Sequence, residues 1–517
     1  MTWEFLIILV SIIFWGSPIG ISNFLGHCGT VLVSISTLKA VSKSLIFWGL
    51  ILITIFFASE SRLSLEYILY ACGFFALGFN KNLISNSEEN FKTKRIFLFL
   101  VFFIISVLDH LNLCLAEKGS LMLWMPVYLP LYFDNINKKN IWVYLIFGTF
   151  TFFLNKISTL IAFIASLRNK ILYLASLFMI LAYFYFRQNI SGFFLKSFEP
   201  RIHIFISSFK GFLDKPIFGH GFGTFSLDFP PYRAHVNILG GRTSEYVIHG
   251  HSLFSHLSFE LGIIGFLFIF IFFYLVYINR PQALIPLIII SLFDSPLVTF
   301  SQYLLAGILF APFIKNYGFL SKIGLLKING FVRNVLFALA IIISGYSFIP
   351  SLAGHYFYSL GDLDNAIKWD KKNPIYYFTK GAKLLNKNTT QSEIDLKRAV
   401  ELAPSVPYFF GFLGAAQLSN TEIKEAKITL EKAMKLDGRD GYWCLLYAYA
   451  NNNNKEVFKE YINKAYKKEP EIKKLINDPT KSSDRYIGYS KDGDIRLAGF
   501  YRTGENIYFP LPILKNE

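Results

Sequence analysis

The chain has 517 residues, 53% of them hydrophobic and only 17% charged, with a formal net charge of +16 and a mean hydropathy of +0.42. Soluble domains carry about a quarter charged residues, so this composition excludes an ordinary soluble enzyme over most of the length. The positive charge needs no nucleic acid, because basic inner loops and a Lys-rich C-terminal third account for it, and nucleic-acid binding is not expected.

Apolar runs follow one another from the N-terminus: Phe5–Trp15, Leu45–Ala58, Ile96–Val107, Ile141–Leu154, Ile171–Phe186, Leu253–Ile278 and Val335–Ile349. Several fall short of the roughly 20 residues that span a bilayer, so polar or Gly-containing flanks complete some spans. Phe5–Trp15 has no basic segment before it and no A-x-A site after it, so it reads as a retained helix and not as a signal peptide. Lys39 and Lys43, then Lys81, Lys92, Lys94 and Arg95, then Lys138 and Lys139, then Arg168 and Lys170 mark alternate loops. Arg280 and then Lys315, Lys322, Lys327 and Arg333 continue the alternation. Basic loops are held on the cytoplasmic side during insertion. The pattern therefore predicts about thirteen helices, a cytoplasmic N-terminus, and an outer location for Gln188–Gly250 and for everything after about Leu352. The expected fold is all-α: a polytopic membrane helix bundle over residues 1–354, with an external loop at 188–250.

The last third has a different grammar. Ala366, Ala399, Ala433 and Ala465 open the blocks AIKWDKKNP, AVELAP, AMKLDG and AYKKEP, at steps of 33, 34 and 32 residues. Pro374, Pro404, Gly438 and Pro470 follow each block, and Tyr376, Tyr408 and Tyr442 open the next helix. A small residue where two helices touch, a helix stop and an aromatic opener describe stacked helical hairpins. The pattern resembles tetratricopeptide (TPR) repeats, whose period is about 34 residues. A TPR-like solenoid is expected over 355–480, able to hold a protein partner, with a tail of short strands or loops over 481–517. Cys28, Cys72, Cys114 and Cys444 show no CxxC or CxxH spacing, which supports neither a zinc site nor a disulfide framework.

The external loop is where chemistry concentrates. It holds His203, His220, His235 and His249, with His251 just beyond, out of nine histidines in the chain. It also carries Arg201, Lys210, Lys215, Arg233 and Arg242 against Asp214, Asp228 and Glu245. Clustered cations over a membrane suit an anionic ligand such as a phosphate, although lipid headgroups or solvent would satisfy them equally. An amphipathic helix is expected over Arg201–Leu213, with Ile204, Phe205, Phe209 and Phe212 on its apolar face. Pro216 stops it, and Gly219, Gly221 and Gly223 make a tight turn where backbone comes close to something. No strand precedes this G-x-G-x-G, so a dinucleotide fold is not indicated. His249 and His251 stand where the chain re-enters the membrane, but H-x-H without a third ligand does not make a metal site, and neither metal nor cofactor is expected. Glu260, inside an apolar helix, is costly unless paired and is expected to face the interior as a structural residue. His256 is expected to be packed and hydrogen-bonded in the same helix.

The order Arg201, then P-x-x-G-x-G-x-G-x-F from Pro216, a polar loop, and H-S-L-F-x-x-x-x-x-E-L-G-x-x-G from His251 resembles the O-antigen ligase and polymerase family. The resemblance implies a glycosyltransferase that takes a glycan from an undecaprenyl-diphosphate carrier at the outer face of the bacterial inner membrane. The acceptor would be lipid A-core, a growing polysaccharide or a protein hydroxyl. It implies His251 as the essential histidine and Arg201 as the arginine before the Gly-rich turn. Lys156, with Ser158 and Thr159, loosely matches a basic residue at an earlier outer helix end, although Ile157 intervenes. Members often have Asn where this chain has Ser252. Such chemistry suits the residue types: Arg201 and Lys156, with Arg242, Arg233 and His249 around them, would neutralise the leaving diphosphate. His251 would take the acceptor proton. Direct attack would invert the anomeric carbon. A transporter of lipid-linked glycan is the rival reading, weakened by few charges within the spans and no paired broken helices.

Overall fold

The computed structural model describes residues 20–42, 45–58, 61–78, 190–232, 250–279, 281–293, 330–436 except 386, and 441–468, together with 164, 174 and 472. The first apolar run, most of the central spans, Lys156, Ser158, Thr159, Arg233, Arg242, His249 and the tail 481–517 lie outside the described residues. Everything described as regular structure is helical: α1 (Gly20–Val41), α2 (Leu45–Phe57), α3 (Ser61–Gly78), α4 (Ile190–Asp214), α5 (Phe225–Asp228), α6 (Leu253–Leu261), α7 (Ile263–Asn279), α8 (Pro281–Phe293), α9 (Gly330–Ser359), α10 (Leu363–Trp369), α11 (Pro374–Leu384), α12 (Thr389–Leu402), α13 (Pro407–Ser419), α14 (Ile423–Leu436), α15 (Gly441–Ala450) and α16 (Lys455–Lys468). The described residues within 22–225 and 249–349 form one compact unit, and those within 226–248 and 350–517 another.

In the first unit, helices meet through small residues. Gly73 of α3 approaches Ser34 of α1 so closely that a Cβ there would lie 2.9 Å from the Ser34 Cα. The Ser34 and Thr37 hydroxyls donate back to the Thr30 and Val33 carbonyls at 2.9 and 3.0 Å, which satisfies them without leaving the helix. Small and hydroxyl residues at helix contacts are the packing grammar of apolar surroundings, where Leu gains nothing over a lipid tail. Among the described residues, α9 alone is both long and apolar enough to cross a membrane, and shorter apolar helices occur at Cys28–Lys39, Phe47–Phe57 and Ile263–Ile278. Leu267, Phe270, Ile271, Tyr274 and Tyr277 of α7 and Phe331, Ile341, Ile342 and Ile349 of α9 are exposed. Apolar faces of that extent need a cover other than water.

The Leu253–Ile278 run folds as two helices, α6 and α7, broken at Gly262, whose backbone is left-handed at φ +62°. One expectation is corrected here. The helix expected from Arg201 starts eleven residues earlier, at Ile190, and runs through Pro200, which removes one backbone donor without ending it. Its buried side also differs: Ile204, Ser207 and Ser208 are buried, whereas Phe205 and Phe209 are about half exposed. Phe205 and Phe209 thus lie on the outward side of the helix and Ser207 and Ser208 on its packed side. Periodicity alone cannot distinguish those two.

In the second unit, consecutive helices pack in turn: α11 on α12, α12 on α13, α13 on α14, α14 on α15 and α15 on α16. Ala366, Ala399, Ala433 and Ala465 are fully buried, as are Tyr376 and Trp443, with Tyr408 and Tyr442 nearly so. Side-chain caps set the helix starts: Asp362 accepts from the Asn365 N–H at 3.1 Å, Asn373 from Ile375 at 3.0 Å and Asn388 from Gln391 at 3.1 Å. Pro374 is the first residue of α11 and so begins a helix as well as closing the block before it. Phe378 meets Phe409 and Phe412 with ring centroids 4.8 and 5.0 Å apart, joining one helical pair to the next. Gly411 lies flat against the buried Trp443 ring, with no room for a Cβ. Gly411→Ala is therefore expected to cost about 1–3 kcal/mol by overpacking, read as earlier cleavage of this unit in limited proteolysis.

Candidate functional site

The site is built on a joint between α4, the Gly-rich turn after it, and α6. Gly211, near the end of α4, lies against the Phe259 ring of α6, where any side chain would collide. Pro216 then turns the chain, and its carbonyl accepts the Ile263 N–H at 2.8 Å, where the α6–α7 break exposes that donor. The next N–H groups continue the docking: His220 donates to the Phe259 carbonyl at 3.1 Å and Gly221 to the Glu260 carbonyl at 2.9 Å. These carbonyls are free of the helix ladder because α6 ends at Gly262, so the turn satisfies the orphaned end of the helix. Gly219 has φ +68°, and a Cβ on it would land on the Glu260 carbonyl. The expected tight turn is thus a close backbone-to-backbone approach, with the partner identified.

On its other side the turn meets α2 and α3. Phe218 stacks on Phe57 at 3.8 Å and Phe222 meets Tyr67 edge-on at 4.8 Å. His220 is buried, stacked on Phe259 at 4.3 Å, and its Nε2 lies 3.2 Å from the Gly211 carbonyl; since that oxygen can only accept, Nε2 carries a proton. This histidine is part of the joint. The Glu260 carboxylate reaches back as well, its Oε1 accepting the Phe225 N–H at 3.1 Å. Glu260 was expected to be paired inside, and it is buried to 1% exposure against that donor.

The second half of the site is the turn Gly250–Ser252 ahead of α6. His251 is half-buried and left-handed at φ +48°, one of two non-glycine residues with positive φ among the described residues. Few non-glycine residues adopt that region, although His does so more readily than most, and such conformations gather at working sites. Its neighbours hold it there. The Ser255 hydroxyl donates to the Gly250 carbonyl at 2.6 Å, and the Gly250 N–H donates to His256 Nδ1 at 3.3 Å. Ser252 occupies the N-cap position of α6, yet its hydroxyl goes to the Ser291 carbonyl of α8 at 3.0 Å, docking α6 onto α8.

Of the six candidate residues, His251 and Arg201 are described. Arg201 is half-buried on α4, and α4 packs against α6, the helix that His251 precedes. Lys156, Arg233, Arg242 and His249 lie outside the described residues. Among the described residues no group of three His, Cys, Asp or Glu side chains is arranged to hold a metal ion. What the sequence reading did not assign a function is the pair His256 and Glu260, Nε2 to Oε2 3.7 Å apart and both buried. Their i,i+4 spacing was the available signal.

Among the described residues, fold and site define an all-α protein with exposed apolar faces, in which a left-handed histidine heads a buried helix locked to a glycine turn. Residues 47–270 match the O-antigen ligase family, and over this stretch, under half of the chain, the protein is similar to that family of bacterial inner-membrane glycosyl-transfer enzymes. The match contains both halves of the site and supports ligase or polymerase activity of that general kind, with lipid-linked glycan donors and glycan acceptors in a membrane. No curated protein and no solved structure matches the chain.

Proposed function

We propose that the chain transfers a glycan from an undecaprenyl-diphosphate carrier to an acceptor hydroxyl on the outer face of the inner membrane, inverting the anomeric carbon and using no metal. The observation that carries this reading is the joint itself: within the family match, the Gly219–Phe225 turn is locked to the helix headed by the left-handed His251. In the proposed step, the acceptor oxygen bonds to the anomeric carbon while the bond to the diphosphate oxygen breaks, its electron pair leaving on the diphosphate. His251 takes the acceptor proton. Arg201 and Lys156, helped by Arg242, Arg233 and His249, hold the charge that develops on the leaving group. In this arrangement residues 1–354 form the membrane part, 355–480 a TPR-like solenoid outside, and 481–517 a tail.

Two experiments test the reading directly. Purified protein treated with a chelator should transfer glycan at an undiminished rate; loss of activity that zinc or manganese restores would assign His249 and His251 to a metal. For topology, a reporter active only in the periplasm should work when fused after Leu352 and be silent after Lys322. The reverse pattern would put the site on the wrong side for its donor.

A protein acceptor, as in protein O-oligosaccharyltransferases of the family, is the second reading. The Pro230–Tyr232 turn, in the segment between the glycine turn and His251, lies against α14 of the helical pairs. Stacked helical pairs bind polypeptides, which suits a polypeptide acceptor. Mass spectrometry of periplasmic proteins, with and without the gene, should show a glycan-bearing peptide if this reading is right.

A further inference from the structure

Glu260 and His256 belong to neither the donor cluster nor the proton transfer proposed above, yet they are among the most buried polar side chains of the unit, at 1% and 3% exposure. Both lie on α6, one turn apart, so their side chains share a face. Each makes a bond to a different half of the site. Glu260 Oε1 accepts the Phe225 N–H at the end of the glycine turn, at 3.1 Å. His256 Nδ1 accepts the N–H of Gly250, the residue before His251, at 3.3 Å.

That second bond fixes the proton on the ring. A backbone N–H can only donate, so Nδ1 is unprotonated and the proton of the neutral imidazole is on Nε2. Nε2 faces Glu260 Oε2 at 3.7 Å, an electrostatic contact longer than a hydrogen bond. The carboxylate thus favours the one tautomer in which His256 can accept from Gly250. An aromatic neighbour, Phe225, stands 5.1 Å from the His256 ring centroid. The buried surroundings make such polar contacts count for more than they would in water.

We infer that Glu260 and His256 are positioning residues, which hold the His251 turn in register with the glycine turn by fixing the ring tautomer that grips Gly250. This rests on the reading of His251 as the base. Without the grip, the Gly250 amide loses its partner, and the left-handed turn that presents His251 is free to relax. Reacting groups misplaced by about 1 Å lose on the order of 100-fold in rate, so the effect falls on kcat and spares donor binding.

The experiment measures transfer from a lipid-diphosphate glycan donor by purified full-length protein, for His256→Phe, His256→Asn, Glu260→Gln and His251→Ala, each at matched membrane levels. Asn carries its Oδ1 on the same Cγ that bears Nδ1, so it can accept from Gly250, whereas Phe keeps the ring volume and accepts nothing. His256→Phe is expected to lower kcat by about 10- to 100-fold with KM for the donor within about twofold, and His256→Asn to recover most of that loss. Glu260→Gln, which retains an acceptor for Phe225, should fall between them. If the role were packing, the order would reverse, with Phe at least as active as Asn, and that result overturns the inference. A rise in KM with kcat unchanged overturns it too. Should His256→Phe fail to insert, His256→Leu serves as the acceptor-free variant. Normal activity of His256→Phe beside an inactive His251→Ala would sink the positioning role alone, whereas normal activity of His251→Ala would remove the base and the inference together.

Discussion

His251→Ala is expected to abolish glycan transfer while the protein inserts at its usual level. Removing a general base costs about 100- to 10,000-fold in rate, and the half-buried His251 side chain contributes little packing. The assay is display of the finished surface glycan in a strain lacking the gene. Full display by His251→Ala would place the base elsewhere. The backbone adds a second, independent reading of the same position. At φ +48° an Ala remains as strained as the histidine, while Gly is not. His251→Gly should therefore be equally inactive yet more stable than His251→Ala by about 1 kcal/mol, measured as detergent-solubilised thermal stability. Equal stability of the two would show that the turn is not strained. Arg201→Ala should also be severe, and Arg201→Lys should retain part of the activity if charge matters more than the two-pronged guanidinium.

The sequence showed the position of these residues better than their connections. The glycines of Gly219–Gly223 pointed to a close approach, but the partner is the carbonyl end of α6, over thirty residues away, which no local pattern encodes. Gly262 was read inside a continuous apolar run, since a single Gly within such a run is common. Its left-handed φ splits that run and thereby creates the free carbonyls that the turn binds. On α4 the periodicity found an apolar face but not its exposure: Phe205 and Phe209 are exposed, Ile204, Ser207 and Ser208 are buried, and Gly211 meets Phe259 of α6. The C-terminal alanines were the most legible, because a small residue recurring at a fixed step suits a repeated close contact, and all four are buried. His256 and Glu260 were visible as an i,i+4 pair, but their partners Gly250 and Phe225 come from two different turns, so what they hold could not be read from α6 alone.

The joint can be broken without touching any chemical group, and Gly219→Ala is expected to do so. Two costs add at this position. The backbone at φ +68° charges an L-residue about 1–2 kcal/mol, and the new Cβ would meet the Glu260 carbonyl, a backbone group that cannot swing aside. The sum, about 3 kcal/mol or more, is enough to disrupt the docking of the turn on α6 and to lower the amount of inserted protein. Two other glycines separate the causes. Gly361 has φ +78° but nothing within 4 Å of a built Cβ, so Gly361→Ala should show the strain alone, about 1 kcal/mol. Gly330, at the start of α9, has neither positive φ nor a neighbour within 4 Å, so Gly330→Ala should be neutral or slightly stabilising. Membrane levels and thermal stability of the three variants should therefore rank Gly330→Ala above Gly361→Ala, with Gly219→Ala far below both. A Gly219→Ala protein as stable and as active as Gly361→Ala would mean that the glycine turn does not press on the end of α6, and the site would lose the contact that brings its two halves together.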